Sequence, residues 1–159
     1  MRITIISVGK VKESFYREAL AEYAKRLSKY CKFDIIEVAD EKTPDGASDH
    51  VCEQIMLKEA ERIVAKIPDG AYVIATAIEG KKYDSVSFSK LISNLGLKGV
   101  SNIVFIIGGS LGIHPSVKQR ADSLISFSDM TFPHQLMRVI LSEQIYRAYR
   151  IQNNEPYHK

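Results

Sequence analysis

Two segments near the C-terminal end of the sequence combine residue types that suit a small-molecule pocket. The first is the apolar run from Ile103 to Ile107, which ends in Gly108-Gly109-Ser110-Leu111-Gly112. The second runs from Phe127 to Phe132 and is followed by Pro133. Glycines directly after a buried strand let a ligand approach the main chain closely, and proline suits the first turn of a helix. We therefore predict that these two loops meet at one ligand.

The spacing of these glycines argues against a cradle for nucleotide phosphates. They follow the pattern G-G-x-x-G, one residue short of the dinucleotide pattern G-x-G-x-x-G, and no Gly-Lys-Ser/Thr follows them. The loop still offers main-chain amides and carbonyls to an adenosine-like ligand.

His134 is the best candidate for a general base. It lies in the first turn of the last predicted helix, where the helix dipole disfavours the imidazolium form. A histidine that merely packs there is the alternative. Arg138 lies one turn further along the same helix face, where it would hold a phosphate, neutralise a developing anionic oxygen or form a structural ion pair.

The last residues of the chain would ordinarily be interpreted as a frayed tail. Tyr157 and His158, however, are two aromatic rings with Arg147, Arg150 and Lys159 close by in the sequence. Such a set suits stacking on an unpaired base and binding of its backbone. Glu143 most simply pairs with Arg147 four residues later.

The hydrophobic pattern predicts alternating strands and helices in one domain over residues 1–159. Strands are predicted at residues 3–8, 33–38, 71–78, 103–107 and 124–127, and Glu79-Gly80-Lys81 leads from the third strand to the next helix. Helical spacing begins at Phe15, Cys52, Val86, Pro115 and Pro133. This order predicts an α/β fold whose parallel sheet is covered on both faces and binds ligands at the carboxyl ends of its strands.

Composition restricts the class of protein. A chain of 159 residues with 45% hydrophobic content buries a core without metals or disulfides, so Cys31 and Cys52 are expected to be small buried side chains. No leader pattern or membrane-length apolar run is present, which predicts a cytoplasmic protein with no membrane partner.

The charge is unevenly distributed along the chain. The net charge of +3 divides into +5 for residues 1–32, −6 for residues 33–69 and +4 for the remainder. The basic residues of the first part either follow the phosphates of a nucleic acid or form an ordinary solvated face: Lys10, Lys12, Arg17, Lys25, Arg26, Lys29 and Lys32.

Six strings in a fixed order resemble the SPOUT methyltransferases, and most closely the RlmH family, which methylates N3 of a pseudouridine in 23S ribosomal RNA. The strings are Val8-Gly9-Lys10, Asp40-Glu41-Lys42, Gly108 to Gly112, Thr131 to Arg138, Glu143 to Ala148 and Pro156 to Lys159. The resemblance covers essentially the whole chain.

The resemblance implies a three-layer α/β domain with a C-terminal trefoil knot that holds S-adenosyl-L-methionine. It also implies a homodimer in which the tail of one subunit, with Tyr157 and His158, completes the site of the other. The resemblance further implies that methylation takes place on an assembled ribosome or large particle and needs no metal. The implied cofactor contacts are Thr76, Gly108, Phe127, Ser128, Asp129, Met130, Thr131 and Phe132.

The sequence leaves two other functions open. A dinucleotide-dependent oxidoreductase would use the same α/β architecture, although the glycine spacing disfavours it. A non-catalytic ribosome-binding module would keep the basic region but would need no adenosine pocket. Binding of S-adenosyl-L-methionine, of nicotinamide dinucleotide or of neither distinguishes the methyltransferase, the oxidoreductase and the non-catalytic module.

Overall fold

The computed structural model describes all residues from Met1 to Lys159 and confirms the parallel α/β fold. Five parallel strands lie in the order β2-β1-β4-β3-β5. The strands are β1 (Arg2–Val8), β2 (Lys32–Val38), β3 (Tyr72–Lys82), β4 (Asn102–Ile107) and β5 (Ser123–Ser126). The helices are α1 (Ser14–Leu27), α2 (Asp49–Val64), α3 (Ser85–Leu97), α4 (Pro115–Arg120) and α5 (His134–Gln152).

The central strands are buried on both faces, as their continuous apolar runs predict. Ile103, Phe105 and Ile107 of β4 point into one core with α1, α3 and α5. Val104 and Ile106 point into a second core with α2 and α4. The alternation of the strand therefore divides the domain into three layers.

The ends of the helices follow local capping chemistry. Ser48 caps α2 by accepting a hydrogen bond from the main-chain N–H of Val51, and Asp84 caps α3 in the same way through Ser87. Pro133 immediately precedes α5. A main-chain N–H at this position would have no partner within the helix, and proline has none. None of the helices combines the length and apolar character that a membrane span requires.

Two details of the sequence prediction were wrong. The third strand does not end at Ile78: Glu79-Gly80-Lys81 is part of β3, which continues through an irregularity to Lys82. Both cysteines are free thiols, as expected, but each is half-buried rather than buried.

The irregularity in β3 lies opposite the end of β5. Ile125 pairs with Thr76 and again with Lys81, so the residues of β3 between these two form a bulge. A Cβ at Gly80 would lie 2.5 Å from the carbonyl carbon of Ile125, so the two backbones are in contact here. The trefoil knot, which requires threading of the C-terminal segment through a loop, stays a prediction.

We expect Gly80→Ala to lower the free energy of unfolding by about 2 kcal/mol, since the added methyl group meets main chain that cannot turn away. Urea unfolding followed by circular dichroism measures this. Gly96→Ala is the matched control, because its Cβ meets only the terminal carbon of Met1 and alanine favours the helix. Equal stability of the two variants would show that the β3 irregularity yields to the methyl group.

Candidate active site

A cavity of about 340 Å³ lies at the carboxyl ends of β3, β4 and β5. Seven of the eight predicted cofactor residues line it: Thr76, Gly108, Phe127, Ser128, Met130, Thr131 and Phe132. His134 and Met137 of α5 complete its wall. The two loops that the sequence predicted to meet at one ligand thus share one cavity, as expected for a parallel sheet.

The glycine loop owes its shape to two different requirements. Gly108 has no room for a side chain, because a Cβ would lie 2.7 Å from the carbonyl oxygen of Gly112. Gly112 has a φ of 91°, which L side chains rarely adopt. Gly108 is therefore required by the closure of the loop on itself, and a side chain at this position would distort the cavity wall.

Hydroxyl groups fix the other walls. The Thr76 hydroxyl donates to the carbonyl oxygen of Ile106 at 3.0 Å and so ties β3 to β4. Ser128 Oγ accepts from the main-chain N–H of Met130, and Ser126 Oγ donates to the carbonyl oxygen of Ser128. These bonds hold the Phe127 to Phe132 segment in one conformation, with the Met130 side chain 74% exposed at the surface.

Asp129 is the predicted cofactor residue that does not line the cavity. Its carboxylate pairs with Lys82 Nζ at 2.6 Å, and its side chain is 80% exposed. The cavity therefore gives no support to a cofactor contact of the Asp129 side chain. The ion pair instead joins the segment after β5 to the end of β3.

His134 lies where β1 and β2 end. Its Nε2 lies 3.7 Å from the position that a Cβ on Gly9 would occupy, and the Asp40 side chain lies 3.8 Å from the same point. Burial lowers the pKa of His134, Arg138 lowers it further and Asp40 opposes the shift. The ring is therefore predominantly neutral at pH 7 and able to accept a proton.

Arg138 is fully buried and bonded to the main chain. Its Nη2 donates to the carbonyl oxygens of Val8 and Gly9 at 2.7 and 2.8 Å. Glu37 is the facing carboxylate, with Oε2 3.7 Å from Nη1. A guanidinium used in this way does not face the cavity, so of the predicted roles the geometry favours the structural one.

The tail is folded back against α5 rather than frayed. The Tyr157 hydroxyl donates to Glu143 Oε1 at 3.0 Å, and the Arg147 guanidinium lies over the Tyr157 ring. Burial and the bond to Glu143 raise the pKa of Tyr157 to about 12, so the phenol stays protonated. His158 lies within 3.3 Å of Arg147.

In its own chain the tail does not reach the first cavity. His158 lines a second cavity of about 410 Å³, which shares Ile125, Ser126 and Phe127 with the first. The predicted catalytic residues therefore fall into two groups, His134 with Arg138 and Tyr157 with His158. No group of three or more His, Cys, Asp or Glu side chains is arranged to hold a metal ion.

Sequence reasoning missed Glu59, a carboxylate that is only 5% exposed. Its Oε1 accepts from the main-chain N–H of Glu41 at 3.1 Å, and its Oε2 lies 3.1 Å from where a Cβ on Gly109 would be. Burial raises the pKa of Glu59. The sequence did contain a sign of this burial: Glu59 is four residues from both Ile55 and Ile63, which places it on the buried face of α2.

Comparison with known proteins gives a match over nearly the full chain. A family described as predicted SPOUT methyltransferase matches residues 1–158. Proteins named ribosomal RNA large subunit methyltransferase H are 62% identical in Bifidobacterium adolescentis and 57% identical in Streptococcus uberis, over 159 residues and 100% of both chains.

A solved structure shares the fold at low sequence identity. A probable methylase family protein from Haemophilus influenzae Rd KW20 aligns with a TM-score of 0.52 at 13% identity. The alignment covers 99% of this chain and 70% of the other. It supports the architecture alone.

We expect Arg138→Met to lower the free energy of unfolding by about 3 kcal/mol, because two buried carbonyls lose a charged donor. Urea unfolding is the measurement. Arg138→Lys, which can reach one carbonyl, should have a free energy of unfolding between those of the wild type and Arg138→Met. Arg120→Met, which removes a surface arginine near Asp122, should change stability little. Unchanged stability of Arg138→Met combined with lost activity would instead assign Arg138 to the chemistry.

Proposed function

Because this chain belongs to the SPOUT methyltransferase family, we propose that it transfers the methyl group of S-adenosyl-L-methionine to N3 of a pseudouridine in 23S ribosomal RNA. The observation that carries the proposal is that one cavity gathers seven of the eight residues expected at the cofactor. The names of the full-length relatives support large-subunit ribosomal RNA as the substrate.

The residues of the cavity fit S-adenosyl-L-methionine. Ten of its 21 lining residues are hydrophobic, and the glycine loop offers main-chain groups at close approach, as adenosine sites use. Thr76, Gly108 and the segment from Phe127 to Phe132 would hold the cofactor. When bound, it supplies an electrophilic methyl group.

The protein contributes position and a base. An imide nitrogen must lose its proton as it attacks, and His134 is a neutral acceptor at the wall of the cavity. A general base typically adds a factor of about 10² to 10⁴, whereas alignment of two bound reactants supplies roughly 7 to 11 kcal/mol of the barrier. Positioning of the RNA base is therefore the larger contribution.

The length of α5 supports a homodimer with shared sites. His134 and Arg147 are 13 residues apart on one helix, which corresponds to about 20 Å at 1.5 Å per residue. Because Arg147 anchors Tyr157, the tail of a subunit lies far from the base of the same subunit. Half-buried apolar side chains on α5, including Leu136 and Ile140, offer the surface for a partner.

Labelled methyl transfer to large ribosomal subunits from cells that lack this gene tests the proposal. We expect transfer to one uridine-derived position, and we expect Gly108→Val to abolish both transfer and calorimetric binding of S-adenosyl-L-methionine, since the side chain distorts the cavity wall. Gly96→Ala, at a helical glycine that does not line the cavity, should retain both activities. Binding of nicotinamide dinucleotide alone would favour an oxidoreductase instead.

The proposed role of the tail has a separate test. Removal of residues 157–159 should leave affinity for S-adenosyl-L-methionine nearly unchanged, because the tail does not line the first cavity. Methyl transfer should fall by orders of magnitude. Mixing this protein with Gly108→Val should restore part of the activity through heterodimers with one intact cavity and one intact tail. Wild-type turnover by the truncated protein would make the tail dispensable.

A further inference from the structure

Phe15 is exposed although the sequence pattern assigned it to the buried face of α1. Its side chain is 60% exposed, whereas Leu20 and Leu27 of the same pattern are buried. Phe15 lies in the first turn of α1, after the loop that leaves the carboxyl end of β1. Its ring lies against Tyr16, with centroids 4.4 Å apart.

The loop before Phe15 is fixed by hydrogen bonds to three other parts of the chain. The main-chain N–H of Val11 donates to Glu37 Oε2 at 3.0 Å, and that of Lys12 donates to Gln135 Oε1 at 3.1 Å. Arg17 Nη1 donates back to the carbonyl oxygen of Lys12 at 2.6 Å. These bonds use the backbone of the loop and leave the side chains of Lys10 and Lys12 exposed.

The position of this loop connects it to the candidate active site. Gly9 adjoins His134, and Lys12 is bound by Gln135, the next residue of α5. A surface formed by Lys10, Lys12 and Phe15 therefore adjoins the wall of the cavity that carries the base. We call these three residues the Phe15 surface.

We propose that the Phe15 surface binds an unpaired nucleotide of the ribosomal RNA close to the base that is methylated. This proposal rests on the proposed function. Phe15 stacks on the nucleobase, and Lys10 and Lys12 bind the adjacent phosphates. Aromatic rings between cations are the combination that binds single-stranded nucleic acid.

Charge favours RNA over a protein partner at this surface. Between Gly9 and Arg17 the sequence has three cations and one acid, Glu13. The surface also lies in the part of the chain with the largest positive excess, residues 1–32. A fixed backbone lowers the cost of ordering these side chains when RNA binds.

The test uses methyl-transfer kinetics on large ribosomal subunits that lack the modification. We expect Phe15→Ala to raise KM for the subunits about tenfold, with kcat and the affinity for S-adenosyl-L-methionine unchanged. Phe15→Trp should retain the wild-type KM, and Phe15→Leu should not, because stacking requires a ring. The matched control is Leu97→Ala combined with Lys98→Ala, at an exposed pair near the amino ends of the strands.

Salt dependence separates the two parts of the surface. Replacement of Lys10 and Lys12 by Ala should reduce the slope of log affinity against log salt by about 1 to 1.5, whereas Phe15→Ala should leave the slope unchanged. Lys66→Ala with Lys98→Ala serves as the charge control.

Three outcomes would overturn the proposal while leaving the methyltransferase function intact. They are a wild-type KM for Phe15→Ala, full rescue by Phe15→Leu, and a shift of Phe15→Ala from dimer to monomer in light scattering. Absence of methyl transfer by the wild-type protein would instead contradict the proposed function itself.

Discussion

The buried guanidinium of Arg138 is the interaction on which the arrangement of the site depends. Charge is costly to remove from water unless it is hydrogen-bonded. Nη2 of Arg138 donates to the carbonyls of Val8 and Gly9, whereas Nε and Nη1 are buried without a hydrogen-bond partner. The bonds fix the carboxyl end of β1 against the first turns of α5. Burial lowers the pKa of His134, and the cation of Arg138 adds to this shift, so the group that holds the helix in place also favours the neutral imidazole.

Most of the fold was predictable because each strand contains a run or an alternation of apolar residues, and β1 and β4 are followed directly by glycine. The pattern of residues 103–107, followed by three glycines within five residues, located β4 to within one residue. The continuation of β3 through Gly80 was not predictable, since it depends on contact with the Ile125 backbone rather than on local preference. Phe15 was placed with the apolar face of α1 because periodicity along a helix does not indicate which of its turns a neighbouring element covers.

The site was predicted in part by the order of its sequence strings and in part by the rule that ligands bind at the carboxyl ends of parallel strands. The strings and the rule both concern loops, and together they identified the residues that line the cavity. Two charged side chains that support the neighbouring main chain lie within helices. Glu59 and Arg138 belong to this class, and a charged residue within a helix is more often a solvated one, so the sequence alone could not weigh them correctly.

The ordered tail follows from contacts that no single string of the sequence encodes. Tyr30 of the α1–β2 connection bonds to Glu155, Arg150 pairs with the same carboxylate, and Tyr157 packs edge-on against Tyr146 with centroids 5.0 Å apart. A tail held in this way loses little conformational entropy when substrate arrives. The restriction that keeps Tyr157 beside Arg147 also keeps it away from His134 of its own chain, since both are fixed to one rigid helix. The same packing therefore both orders the tail and holds it apart from His134.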